Sequence, residues 1–244
     1  MNMLSKNEAK YIQSLYKKKY RDEEGLFIAE GPKLAGELLT SALEIRQIYA
    51  TSKWIAGHAI TNLPVTEITE SELQLVSNLK SPNEVLVIAQ QKPVDDEPVL
   101  PGKLTIVLDG IQDPGNMGTI IRIADWFGLT QIVCSNDSVE VYNPKVIQSA
   151  MGSMCRVTCW YKDLSNWQTE PLPVYGALLN GKNLYHLEKV SEGLLVIGNE
   201  SKGIREPFLS RITHPVTIPK TGGAESLNAA VATGIIIGHF VNSK

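Results

Sequence analysis

Asp109-Gly110-Ile111-Gln112-Asp113-Pro114-Gly115-Asn116-Met117-Gly118, with Arg122 about one helical turn further on, leaves the apolar run 104–108 and decides the fold of this chain. Two later segments share its construction: Gly198-Asn199-Glu200-Ser201-Lys202-Gly203, after the run 194–197, and Glu225-Ser226-Leu227-Asn228-Ala229-Ala230-Val231-Ala232. Each reads as a polar loop directly after a short β-branched run, so three strand ends in one half of the protein present backbone N–H groups and a few polar side chains. In an α/β sheet, ligands sit at the carboxyl ends of strands, where backbone donors and helix N-termini converge.

Outward from these segments the pattern is regular. It predicts strands over 104–108, 131–135, 156–160, 174–178, 194–198 and 216–219, with helices over 118–127, 144–151 and 226–241. Near-continuous apolar strands alternating with helices imply a parallel sheet covered on both faces. Residues 1–90 form a separate small α/β pattern, with helices expected over 6–19, 32–41, 54–60 and 71–79 and strands over 26–30, 45–51 and 85–90. Between the two, residues 91–103 combine Pro93, Pro98 and Pro101 with Asp95-Asp96-Glu97 and no periodicity, which marks a linker. The expected division is thus 1–90, a linker over 91–103, and 104–244.

Bulk properties exclude several classes. A hydrophobic fraction of 43% and a charged fraction of 20% are those of an ordinary soluble protein, and no window approaches the roughly 18 apolar residues of a membrane helix. Met1-Asn2-Met3-Leu4-Ser5-Lys6 lacks the apolar core of a secretion signal, so the expected location is the cytoplasm. Cys134, Cys155 and Cys159 form no CxxC pair and are expected to be reduced, structural thiols; His58, His186, His214 and His239 show no ligand spacing, so no metal is expected.

A net charge of −3 argues against a protein that coats nucleic acid by charge alone. A local basic stretch remains: Lys6, Lys10, Lys17, Lys18, Lys19 and Arg21, interleaved with Tyr11, Tyr16 and Tyr20. It suits phosphate contact with base stacking, or equally a solvated amphipathic helix whose Ile12, Leu15 and Tyr16 face a core. Lys17, Lys18, Lys19 and Arg21 are the RNA-contact candidates there, and Lys202 is another.

The first glycine segment does not fit G-x-G-x-x-G, which counts against a dehydrogenase, and no GK[ST] phosphate loop is present. Arg122 offers a five-donor guanidinium suited to a phosphate or hydroxyl, with a surface arginine as the plain alternative. Gly198 permits close backbone approach by a ligand, and Glu200 supplies a carboxylate. Ser226 is a candidate N-cap for the last helix, and Asn228 lies in its first turn.

At these residues the chain resembles the SpoU/TrmH family of S-adenosylmethionine-dependent RNA ribose 2′-O-methyltransferases, within the SPOUT superfamily. The resemblance covers 104–241 and rests on Asn116-x-Gly118-x-x-x-Arg122, Gly198-Asn199-Glu200 and Ser226-Leu227-Asn228. Residues 1–90, including Glu30-Gly31, more weakly resemble the small ribosomal-protein-like substrate-binding domain of many members.

The resemblance implies a carboxyl-terminal trefoil knot and a homodimer in which Arg122 reaches the partner's cofactor site. It implies S-adenosylmethionine held by Gly198, Ile218 and Leu227, with Asn199, Pro219 and Asn228 nearby. The catalytic candidates are Arg122, Asn116, Glu200, Ser226 and Asn228. Because a guanidinium with a pKa above about 12 is a poor base, Arg122 is expected to fix the hydroxyl or its phosphate, with Glu200 orienting Arg122 or accepting the proton through water. Ser201-Lys202 and Ala230 depart from common family patterns. Ribosomal RNA is the expected substrate, with transfer RNA or a non-catalytic RNA-binding role as alternatives.

Overall fold

The computed structural model describes residues 4–60, 62–94, 96–168, 171–206 and 208–242. Met1, Asn2 and Met3 of the amino-terminal reading, and Asp95 of the expected linker, lie outside them. The chain divides into two compact units, one made of residues 1–93 and 142–155, the other of 94–141 and 156–244.

The first unit runs α1 (Lys6–Ser14), α2 (Lys18–Glu24), β1 (Leu26–Glu30), α3 (Pro32–Leu39), β2 (Ile45–Ala50), α4 (Ser52–Ala56), β3 (Val65–Glu67), α5 (Glu70–Val76) and β4 (Val85–Gln90). Its sheet has the order β1-β4-β2-β3, with antiparallel β1/β4 and β4/β2 pairs and a parallel β2/β3 pair. Ile12, Leu15, Ile28, Leu73, Val76, Leu86 and Ile88 form its core.

The helix expected over 6–19 is broken at residues 15–17 into α1 and α2, and the break explains Arg21. Arg21 is 2% exposed, and its Nη1 donates to the Leu15 carbonyl at 3.0 Å, satisfying a backbone acceptor freed where α1 ends. Arg21 is therefore a buried structural cation and not an RNA contact. Lys17, Lys18 and Lys19 are exposed, with Lys18 paired to Asp22 at 2.5 Å and Lys19 to Glu23 at 3.8 Å.

Also in this unit is α7 (Pro144–Ala150), which packs on β1; Gln148 Nε2 donates to the Glu30 carbonyl at 3.0 Å. Residues 142–155 thus interrupt the second unit.

The second unit contains β5 (Leu104–Asp109), α6 (Pro114–Trp126), β6 (Gln131–Ser135), β7 (Thr158–Lys162), β8 (Val174–Asn183), β9 (Gly193–Gly198), β10 (His214–Thr217) and α8 (Ala229–Asn242). Its six strands lie in the order β10-β8-β9-β5-β6-β7, and every neighbouring pair is parallel. All residues of β5 and β6 are buried, as a sheet covered on both faces requires. The strands' carboxyl ends consequently share one edge. Cys134, Cys155 and Cys159 form no disulfide, and burial together with Cys159 raises the thiol pKa of Cys134. No helix among the described residues is long and apolar enough to cross a membrane.

Residues 96–103 carry no helix or strand but are tied to this unit. Val99 exchanges hydrogen bonds with the Gln131 amide at 3.1 and 2.9 Å, and Trp160 Nε1 donates to the Asp96 carbonyl at 2.8 Å.

Two helix starts differ from the sequence reading. α6 begins at Pro114, because Asp113 caps it by accepting from Asn116 N at 2.8 Å and Pro114 suits the first helical position. α8 begins at Ala229, because Asn228, not Ser226, accepts from the Ala230 and Val231 amides at 3.0 and 3.2 Å. With β10 ending at Thr217, residues 218–228 intervene, so the third segment does not follow directly on a strand.

Candidate active site

Three loops of the second unit are joined by a directed chain of hydrogen bonds. The Asn228 carbonyl oxygen Oδ1 is committed to the first N–H groups of α8, so its Nδ2 must donate outward, and it does so to Asn116 Oδ1 at 2.8 Å. That acceptor role fixes the Asn116 amide in turn. Its Nδ2 donates to Glu200 Oε1. The end of α8 thereby determines which way a side chain on α6 points and presents an N–H to a carboxylate on the loop after β9. Among the described residues Glu200 Oε2 has no protein partner, and the side chain is exposed.

The loop bearing Glu200 is a small hairpin. Asn199 and Gly203 exchange backbone hydrogen bonds at 3.1 and 2.8 Å, and Asn199 Oδ1 accepts from the Ser201 and Lys202 amides at 2.9 and 3.1 Å. Asn199 Nδ2 donates to the Gly110 carbonyl at 2.8 Å, tying the hairpin to the end of β5. Gly198 is required here: a Cβ at this position would lie 2.2 Å from the Gly203 carbonyl carbon and 2.3 Å from Ile204 N. The close approach anticipated at Gly198 is therefore made by the chain's own backbone.

A feature absent from the sequence reading holds the hairpin's far side. The Arg205 amide and Nε donate to the Asp109 carboxylate at 2.7 and 2.8 Å, and Nη1 and Nη2 donate to Asp137 at 2.8 and 3.0 Å. Arg205 Nη2 also bonds Asp109, which is 3% exposed at the last position of β5. A buried strand-end carboxylate was the available signal, since such a group needs a cationic partner. The paired guanidinium gains pKa from Asp109 and then Asp137, and Arg205 holds the Asp137 carboxyl below the usual carboxylate range.

Arg122 lies on α6 but outside this network. It follows Asn116 by six residues, which on an α-helix is about 9 Å along the axis and about 240° around it. The Arg122 side chain is exposed and its guanidinium makes no hydrogen bond or ion pair among the described residues, so it does not meet Glu200 within one chain. Ser226 and Leu227 are exposed, Ile218 is half-buried and Pro219 exposed. Among the described residues, the backbone of 219–227 makes no hydrogen bond within the chain. Unpaired peptide groups beside the apolar Ile218, Pro219 and Leu227 match the needs of a ligand with a flat ring and polar edges, as S-adenosylmethionine has.

Residues 103–238 match the SpoU rRNA methylase family and residues 6–87 the MRM3-like substrate-binding domain. The chain belongs to the SpoU rRNA methylase family. It is 28% identical to the 23S rRNA (guanosine(2553)-2′-O)-methyltransferase RlmP of Bacillus subtilis (strain 168), over 93% of each chain. Among solved structures, a TrmH-family protein from Porphyromonas gingivalis shares 37% identity over 98% of each chain with a TM-score of 0.87. An S-adenosylmethionine-bound rRNA methyltransferase from Sinorhizobium meliloti shares 28% identity with a TM-score of 0.82, covering 95% of this chain and 93% of the other.

Proposed function

We propose that this SpoU-family enzyme transfers a methyl group from S-adenosylmethionine to a ribose 2′-hydroxyl of ribosomal RNA, in the cytoplasm and as a homodimer. The observation that carries the reading is the chain from Asn228 through Asn116 to Glu200, which gathers the three family segments at one sheet edge and leaves one carboxylate oxygen open. Residues 1–90 would bind the RNA and 104–244 carry out the transfer. Relatives that act on 23S rRNA support ribosomal over transfer RNA.

Gly198, Asn199, Ile218, Pro219, Leu227 and Asn228 would hold the cofactor, which when bound supplies an electrophilic methyl on a sulfonium. The protein's own task is alignment of the hydroxyl and removal of its proton; alignment alone contributes about 7–11 kcal/mol in favourable cases. Glu200 Oε2 takes the proton, directly or through one water, while Asn116 keeps the carboxylate oriented through Oε1. Arg122 donates to the attacking oxygen or its neighbouring phosphate, stabilising charge without acting as a base. Ser226 adds a hydroxyl at the same edge, and Lys17, Lys18, Lys19 and Lys202 offer cations to the RNA.

The homodimer is supported by α6 and α8, which pack together and leave Trp126 84% and Val231 51% exposed. Trp126 follows Arg122 by one helical turn, on the same side of α6. Burying that face would bring Arg122 to the partner's site, and the trefoil knot of the family belongs to the same reading.

The test is transfer of labelled methyl from S-adenosylmethionine to total RNA from a strain lacking this gene, with ribose methylation mapped. Label at one 2′-O position of ribosomal RNA, lost with Arg122→Ala, is expected. Label on transfer RNA, or none on RNA or on ribosomal precursor particles, would refute the reading.

A further inference from the structure

We infer that Arg205 is a positioning residue for methyl transfer, clamping the 199–203 hairpin between the ends of β5 and β6 so that Glu200 meets Asn116. The inference rests on the proposed function and adds to it a residue 96 positions from its first partner. Four of the five guanidinium N–H donors are engaged, one at Nε, one at Nη1 and two at Nη2. Two carboxylates share them: Asp109 at the last position of β5 and Asp137 just past β6.

The geometry makes the clamp specific to arginine. Its own amide donates to Asp109 Oδ2 while its side chain returns to Oδ1, so backbone and side chain grip the same carboxylate. Gly110, at φ +74°, lies under the guanidinium, where an added Cβ would stand 3.5 Å from Arg205 Cζ. Lysine keeps the charge but lacks the planar fork needed to bridge two carboxylates at once.

The hairpin has two anchors with different duties. Asn199 fastens its first residue to Gly110, next to the backbone proposed to face the cofactor. Arg205 fastens its exit, and between the two anchors the tip carries Glu200 to Asn116. Loosening the exit alone should therefore displace Glu200 more than Gly198, which β9 holds in register with Asp109.

The experiment compares wild type, Arg205→Lys, Glu200→Gln and the double variant of the full chain, using labelled S-adenosylmethionine and the RNA that wild type methylates. Arg205→Lys should lower kcat about 10- to 100-fold, with KM for S-adenosylmethionine within about threefold. In the Glu200→Gln background the same change should cost less than about threefold, because groups acting through one another are not additive. Exchange of the Asn199 and Gly203 amides should quicken in Arg205→Lys. Asp137→Asn, which leaves the buried Asp109 paired, should repeat the pattern more weakly if Arg205→Lys folds poorly. Equal losses in both Glu200 backgrounds, or wild-type kcat in Arg205→Lys, would overturn the inference. Failure of the reaction itself would show separately, as absence of transfer by wild type.

Discussion

Glu30 in the first unit and Glu200 in the second are both glutamates that gather neighbouring loops, and they differ in what they leave free. Glu30 is 7% exposed, and both its oxygens are occupied by the chain: the Tyr16 hydroxyl at 2.8 Å and the Asn78 amide at 3.3 Å on Oε1, and the Ser77 hydroxyl on Oε2. Burial, with Glu30 beside it, pushes the Tyr16 hydroxyl pKa upward, keeping it a donor. Glu200 is exposed and has one oxygen engaged by Asn116 and one open. A closed polar cluster specifies a fold; one with a free acceptor held in place by other polar side chains is built to meet something else.

The largest effect that would sharpen this contrast is Asn116→Asp. It sets an acceptor against Glu200 where a donor stood, and methyl transfer should fall at least about 100-fold. Adding Glu200→Gln to it restores a hydrogen bond with reversed polarity and should recover thermal stability but not turnover. Recovery of turnover would show that the carboxylate at 200 takes no proton.

The smallest effect concerns Asp137. Its carboxyl is held low chiefly by the Arg205 hydrogen bonds, so the stabilisation it gives is present above the unfolded carboxylate value, about 3.9, and is lost as pH falls through the depressed folded value. Thermal melts should therefore separate wild type from Asp137→Asn at pH 7 and converge on acidification below about pH 4. A separation independent of pH would mean that Arg205 does not bind Asp137 as an ion.

The sheets were the most legible part of the sequence. β1 and β4 stand at their expected bounds, and the parallel sheet follows from runs such as 104–108 and 194–198, which are mostly apolar. β3 was missed because Val65–Glu67 is three residues long and partly exposed, too short to show alternation. Ser226 and Asn228 are both good capping residues, and only the path of 218–228 decides between them. Arg21 looked like its lysine neighbours, although a carbonyl freed by a helix break claims it. The first two family segments were legible as polar sets at strand ends and the third as the start of the last helix, but not their wiring. Which amide faces which carboxylate depends on where α6 and α8 begin, and the partner of Asp109 is remote in sequence.

The contrast between the two glutamates is tested most directly by Glu200→Gln and Glu30→Gln side by side, each assayed for methyl transfer and thermal unfolding. Glu200→Gln should lower kcat by at least about 100-fold and leave the melting temperature unchanged. Glu30→Gln should keep kcat and lower stability by about 1–3 kcal/mol, as a buried donor loses its acceptor. Wild-type turnover in Glu200→Gln, or loss of turnover in a folded Glu30→Gln, would contradict the assignment of the open carboxylate to catalysis.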